Sequence, residues 1–194
     1  MKQLVLSVAL FIATITITAQ DKPKGLNVND KAPTFTAKNQ AGKTISLKEQ
    51  LKSGAVVLIF YRGQWCPYCN KQLKRLEDSL SLITAKGATL IAVTPEKQEN
   101  IGKTIEKTKA TYSILFDDGL KIMKSYDVAY AVEDKIIEKY KGYGIDFNEV
   151  NGSNGANLPV PAVYVINKEG VIVYKYFDAD YRNRASVMDI LDHL

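Results

Sequence analysis

Two cysteines, one histidine and one tryptophan are all that these 194 residues hold of three scarce, chemically informative side chains. A structural zinc site needs about four Cys, His or carboxylate ligands. With both cysteines in one four-residue stretch and His193 beside the C-terminus, no such cage is expected, nor any other metal or cofactor. His193 reads as a solvated terminal residue rather than a base. One cysteine pair is also too few for a disulfide-stapled secreted scaffold. A bridge between Cys66 and Cys69 closes too small a loop to stabilise much. A basic stripe with interleaved aromatics is missing: the formal charge of +5 is spread through segments that also carry acids, such as EKQENIGKTIEKTKA. A solvated surface is expected, not nucleic-acid binding. No internal repeat is present.

Long apolar runs are scarce too. The longest, Leu4 to Ile17, covers about 14 residues, short of the roughly 20 that span a bilayer as a helix. It follows Lys2 and precedes Thr18-Ala19-Gln20, with Ala19 a small residue suited to cleavage. Residues 1–19 therefore read as a secretory leader cut near Ala19/Gln20. Export, to the periplasm in a bacterium, is the expectation, with no stable membrane span after cleavage. The alternative is an uncleaved leader acting as an anchor. No cysteine lies in or just after the leader, so lipid attachment there is excluded.

What is present is an ordinary globular composition, 46% hydrophobic and 24% charged. It predicts one domain over residues 26–194 with one core of useful size. APTFTAKNQAGKTISL reads as an N-terminal β-hairpin turning at NQAGK. Ala55–Tyr61, 88–94 (ATLIAVT) and 112–116 (YSILF) are unbroken apolar strands. Between them lie helical patterns over 67–83, with Leu73, Leu76, Leu80 and Ile83 in register, and over about 96–110, opened by Pro95. Asp117 or Asp118 can cap GLKIMKSY. Such alternation predicts a sheet covered on both faces. PAVYVI and VIVYKYF, joined only by NKEG, must pair antiparallel, and a last helix is expected from about Asn183. This order, α/β with a mixed central sheet flanked by helices, is that of a thioredoxin-like fold. Residues 127–158 fit none of it well and read as an inserted segment that combines a short helical stretch with a Gly- and Asn-rich loop, either a surface excursion or a lid over the cysteines.

The chemistry concentrates in YRGQWCPYCNKQL. If Cys66 caps the helix that follows the first strand, unpaired N–H groups and the helix dipole favour its thiolate. Pro67 suits the first helical position. Cys69, in the buried register of Leu73 and Leu76, is the shielded partner, and Cys66 the exposed attacker. Trp65 and Arg62 stand beside the pair, and Arg62 can support a thiolate or lie on the surface. Val160 and Pro161 precede a strand that this fold sets opposite the dithiol. A cis Val160–Pro161 bond would offer backbone groups to an extended substrate, and a trans proline at a strand start is the plainer reading. From YFDADYRNR, Arg184 can fold back toward the site.

Together, KAPTFTAKNQAGKTISL, VVLIFYRGQWCPYC, LIAVTPEKQENI, ILFDDGLKIMKSYDV and LPVPAVYVINKEGVIVYKYFDADYRNR resemble the peroxiredoxin-like branch of the alkyl hydroperoxide reductase and thiol-specific antioxidant superfamily, from about residue 26 onward. The resemblance implies a thioredoxin-like fold and a thiol-based oxidoreductase whose peroxidatic or nucleophilic residue is Cys66. Proteins of this kind carry P-x-x-x-[TS]-x-x-C, and Ile59 and Gly63 occupy the Pro and Thr/Ser places here. Activation would then rest on the helix terminus with Arg62 or Arg184, while Cys-Pro-Tyr-Cys itself resembles glutaredoxin and thioredoxin-like sites. Two enzymatic readings stand: a thiol peroxidase acting on hydroperoxides, or a protein disulfide oxidoreductase. Each uses a Cys66–Cys69 disulfide, and the peroxidase cycle needs an external dithiol reductant such as a thioredoxin-like protein. A non-enzymatic module with a passive bridge is the third.

Overall fold

The computed structural model describes residues 22–194, and the leader expected over 1–19 lies outside the described residues. Strands β1 (Thr36–Lys38) and β2 (Thr44–Ser46) form the expected hairpin. A helix that the sequence pattern did not reveal, α1 (Leu47–Ser53), follows and buries only Leu47. Seven residues with one apolar pair, Leu47 and Leu51, are too few to show a helical period.

The central sheet has the order β5-β4-β3-β8-β9. Its strands are β3 (Val56–Phe60), β4 (Thr89–Thr94), β5 (Ser113–Phe116), β8 (Ala162–Ile166) and β9 (Ile172–Phe177). The first three pair in parallel, while β8 runs antiparallel to β3 and β9 antiparallel to β8. All five residues of β3 are fully buried, as a central strand with both faces covered requires. Val57, Ile59 and Tyr61 face α2 (Pro67–Asp78), α3 (Leu80–Ala85), α4 (Gln98–Thr108) and α8 (Val187–Asp192). Val56, Leu58 and Phe60 face α1 and α5 (Lys121–Ser125). The period-two alternation of one strand thus divides the helices into two layers. Asp117 anchors the first turn of α5, whose N-cap is Leu120, its carboxylate accepting from the N–H groups of Ile122 (2.9 Å) and Met123 (2.8 Å).

Three expectations need correction. The helix expected over 67–83 is two, because Ser79 (φ −107°, ψ 6°) leaves the helical region. Serine competes poorly for helix interiors and favours ends. The last helix starts at Val187, not Asn183, where the Ser186 hydroxyl caps it by accepting from Asp189 N–H. Residues 127–158 contain the expected helical stretch, but the remainder is not a loop. They form β6 (Ala129–Ala131), α6 (Asp134–Gly142), α7 (Phe147–Asn151) and β7 (Asn157–Pro159), with β6 and β7 paired antiparallel. Val132, Phe147 and Leu158 make a small core of their own against Trp65. Of the asparagines that suggested a loop, Asn151 and Asn157 bond within the insertion and Asn154 tethers it to the rest of the chain. Buried Asn154 donates to the carbonyls of Pro95 (2.8 Å) and Asp117 (3.0 Å) and accepts from Gly119 N–H, so three backbone groups of two segments are satisfied by one side chain.

The approach to β1 runs along the outside of the sheet. Ile172 of β9 exchanges backbone hydrogen bonds with Asn29 and Asp30. On the opposite edge the Gln40 side chain accepts from Ile114 N–H of β5 (2.8 Å).

Candidate functional site

Strand β3 ends under the first turn of α2, and the link between them sets the chemistry. Cys66 is the N-cap (φ −88°, ψ 108°), its sulfur accepting from Cys69 N–H at 3.3 Å, and Pro67 is the first helical residue. Cys66 and Cys69 are joined as a disulfide with Cα atoms 5.3 Å apart. The spacing therefore places both sulfurs on the first turn, where orphan N–H groups favour negative charge.

The expectation of an exposed Cys66 is not met: Cys66 is 1% exposed and Cys69 0%. Part of the cover is Arg184. Its Nη2 lies 3.5 Å from Cys69 Sγ and 4.0 Å from Cys66 Sγ, while Nη1 donates to Asn183 O. Burial, and then the positive charge of Arg62, bring its pKa down to about 10. It remains a cation at neutral pH, held beside the sulfurs with no carboxylate among its hydrogen-bond partners. The fold-back of Arg184 thus brings a charge to the place where a thiolate would form.

Arg62 is buried rather than on the surface. Its guanidinium stacks over Tyr181 (4.0 Å), Trp65 (4.8 Å) and Tyr140 (5.4 Å) and donates to the Tyr140 hydroxyl. Desolvated cation–π contacts of this kind contribute roughly 2 kcal/mol. Arg62, Trp65, Cys66 and Pro67 line one cavity of about 560 Å³ with Tyr140 and Tyr181. The insertion therefore supplies a wall of the cysteine cavity through Tyr140.

Val160 and Pro161 are placed differently from what the sequence suggested. No cis peptide bond occurs among the described residues, so Pro161 is trans. Val160 N–H is already bound to Val128 O at 2.8 Å, which removes it as a donor to an extended substrate. Both line a neighbouring cavity that meets the first at Tyr181.

Beneath the loop lies a group that sequence reasoning missed. Glu96, buried after β4, accepts from Gln64 N–H at 2.7 Å. Lys107 of α4 donates to Gln64 O at 3.0 Å and also to its side-chain oxygen, and Asn70 donates to Gln64 O at 2.7 Å. Burial pushes the Glu96 carboxyl up to about 8, against the lowering effect of the Gln64 hydrogen bond and Lys107. Glu96 also accounts for Gly63. A Cβ at that position would lie 2.7 Å from the Glu96 carboxyl and 2.6 Å from Trp65 Nε1, so no side chain, hydroxyl-bearing or otherwise, has room. A carboxylate directly after an unbroken apolar strand was the only sequence signal for Glu96. Tyr140 and Tyr181 carried none.

The AhpC/TSA family model matches residues 28–175. The chain belongs to the AhpC/TSA family. Among curated relatives, a chloroplastic peroxiredoxin Q from Triticum aestivum is 29% identical over 144 residues, covering 74% of this chain and 56% of its own length. Peroxiredoxin Bcp from Bacillus subtilis is 31% identical over 103 residues, 53% of this chain and 65% of its own. The matched region thus spans less than two thirds of these relatives. Peroxidoxin BcpB from Mycobacterium tuberculosis has the same fold, with a TM-score of 0.66 at 18% identity over 86% of this chain and 94% of that one. The thioredoxin-like fold and the peroxiredoxin-type membership read from the sequence both hold.

Proposed function

We propose that this chain is a thiol peroxidase that reduces hydroperoxides through Cys66 and a Cys66–Cys69 disulfide. The carrying observation is AhpC/TSA membership over residues 28–175 in a chain whose paired sulfurs sit under Arg184 at a helix start. In the reduced protein the Cys66 thiolate attacks the distal peroxide oxygen. The O–O bond breaks, the alkoxide leaves and takes a proton, and Cys66 becomes a sulfenic acid. Cys69 then attacks the Cys66 sulfur, its thiol proton leaving with the hydroxyl as water, and the disulfide forms. An external dithiol, for which a thioredoxin-like protein is the expectation, supplies the two electrons that reopen it. Arg184 stabilises the thiolate and the charge developing on the peroxide. Arg62, Trp65, Pro67 and the Val160–Pro161 wall shape the approach.

Burial of Glu96 under Gly63 supports activation without a hydroxyl at that position, because the loop holds its shape by other means. Export rests on the leader-like composition of residues 1–19.

Rapid mixing of the reduced protein with hydrogen peroxide, followed by Trp65 fluorescence, tests the reading. The expected result is oxidation far faster than that of a free thiol, lost in Cys66→Ser. Peroxide rates of a free thiol together with fast exchange with a protein disulfide would replace it with disulfide oxidoreductase activity.

A further inference from the structure

The turn that leads into the helix start is closed by Cys66 N–H, which donates to Gly63 O at 3.1 Å, and Glu96 Oε2 accepts from Gln64 N–H within that turn at 2.7 Å. Glu96 is fully buried. Its other carboxyl oxygen, Oε1, has no hydrogen-bond partner among the described residues, and neither has the buried indole nitrogen of Trp65. The two atoms flank one point: a Cβ on Gly63 would stand 2.7 Å from Glu96 Oε1 and 2.6 Å from Trp65 Nε1. A buried acceptor and a buried donor, both unmet, are thus kept apart by nothing but the side chain that Gly63 lacks. Each is costly to leave unpaired.

Whether the two can pair depends on one proton. With Oε2 taken by Gln64 N–H, a protonated carboxyl carries its O–H on Oε1 and turns a second donor toward the indole N–H. An ionised carboxyl accepts on both oxygens. Burial disfavours the ionised form most strongly, while Gln64 N–H and the cations Lys107 and Lys103 of α4 favour it. Tyr61, directly after β3, faces the same carboxyl and stays neutral, its hydroxyl pushed up by burial and then by Glu96. Arg62 stacks on the same indole at 4.8 Å, and Trp65 lines one cavity with Cys66.

We infer that Glu96 is a positioning residue of the cysteine site: ionised, it takes the Trp65 indole N–H across Gly63, and protonated, it lets the indole go. What this movement controls rests on the thiol–disulfide cycle proposed above. Trp65 immediately precedes Cys66 and forms part of its cavity wall, so the wall shifts as the proton comes and goes. The carboxylate also sets a negative charge one closed turn from the helix start, where it opposes the thiolate that opening of the disulfide releases. Cys66–Cys69 is therefore reduced more readily with Glu96 protonated, and the site slows as pH rises through the titration of that carboxyl. Gly63 is what the device requires, since a side chain there would stand between donor and acceptor.

Trp65 is the one tryptophan of the chain, so a proton–nitrogen correlation spectrum of the oxidised protein carries a single indole signal. The expected result is a downfield shift of that signal with a midpoint at about pH 8, as the indole N–H gains its acceptor, and no such shift in Glu96→Gln. Reduction by dithiothreitol, followed by Trp65 fluorescence, is measured as the rate of the wild type relative to Glu96→Gln, which cancels the titration of the reagent. That ratio is expected to fall about threefold or more between roughly pH 7 and 9. No peroxide is present, so failure of the peroxidase reading leaves both measurements intact. An indole signal that does not move, or that moves equally in Glu96→Gln, overturns the inference, and so does a flat ratio. If Glu96→Gln does not fold, the wild-type indole signal decides: its midpoint should lie higher in the reduced protein, where a thiolate forms, and an unchanged midpoint overturns the inference.

Discussion

Arg184 and Cys69, 115 positions apart in the chain, meet with Nη2 3.5 Å from Sγ. A guanidinium at that distance from a sulfur favours its ionised form, and charge-assisted contacts are about twice as strong as neutral ones. Arg184→Ala is therefore expected to move the thiol titration of the reduced protein to higher pH and to slow its oxidation by peroxide by about tenfold. Thiolate ultraviolet absorbance across a pH series reads the first effect and rapid mixing the second. An unchanged titration would remove Arg184 from thiolate stabilisation. Arg184→Lys retains the charge but not the forked donor geometry, and should fall between the two.

Gly63→Ala forces a methyl group against the Glu96 carboxyl and the Trp65 indole, and overpacking of this kind destabilises by about 1–3 kcal/mol. Chemical denaturation measures it. Glu96→Ala opens the space, so the two changes together should destabilise less than their sum, by a coupling of about 1 kcal/mol. Strict additivity would show that the carboxyl is not what excludes the side chain.

Glu96 makes stability depend on pH. Its carboxyl has an ordinary value of 4.5 and is raised to about 8 in the folded protein, so the native state binds the proton more tightly. The stabilisation linked to that proton is fully present below pH 4.5 and is lost as pH rises to about 8. Melting temperature should fall across this window. Glu96→Gln, which still accepts from Gln64 N–H but does not titrate, should flatten that fall.

Arg62 is buried, and its only hydrogen-bond acceptor among the described residues is the Tyr140 hydroxyl. Tyr140→Phe keeps the ring and removes the acceptor, which leaves a desolvated guanidinium short of a partner at a cost of about 1–3 kcal/mol. Tyr140→Ala removes the ring as well. It should also red-shift Trp65 emission, because the ring 5.2 Å from the indole is lost. A Trp65 spectrum identical in both variants would argue against the insertion as a wall of the cavity.

The sheet was legible because each central strand is an unbroken apolar run, and burial on both faces is the one environment that accepts such a run. Cys66 and Cys69 were legible because the strand and the register Leu73, Leu76 fix where the helix starts and which sulfur faces inward. Arg184 could be suspected but not placed, since its approach depends on where the chain turns after β9. The loop part of the insertion was misread because Asn154 acts as a tether to Pro95, Asp117 and Gly119, and composition alone does not distinguish a tether from a loop. The exposure expected for Cys66 failed for a related reason. A helix N-cap is open unless another part of the chain covers it, and here Arg184 does.

Asn29 and Asp30 bind backbone groups of β9 while Gln40 binds β5, the two outermost strands of the sheet. An unpaired outer strand is a template on which another chain can add itself. One stretch of about a dozen residues thus occupies a pairing position on each border. Loss of its grip would leave the cysteine site in place yet open the molecule to strand exchange and fibril-like association at both ends of the sheet.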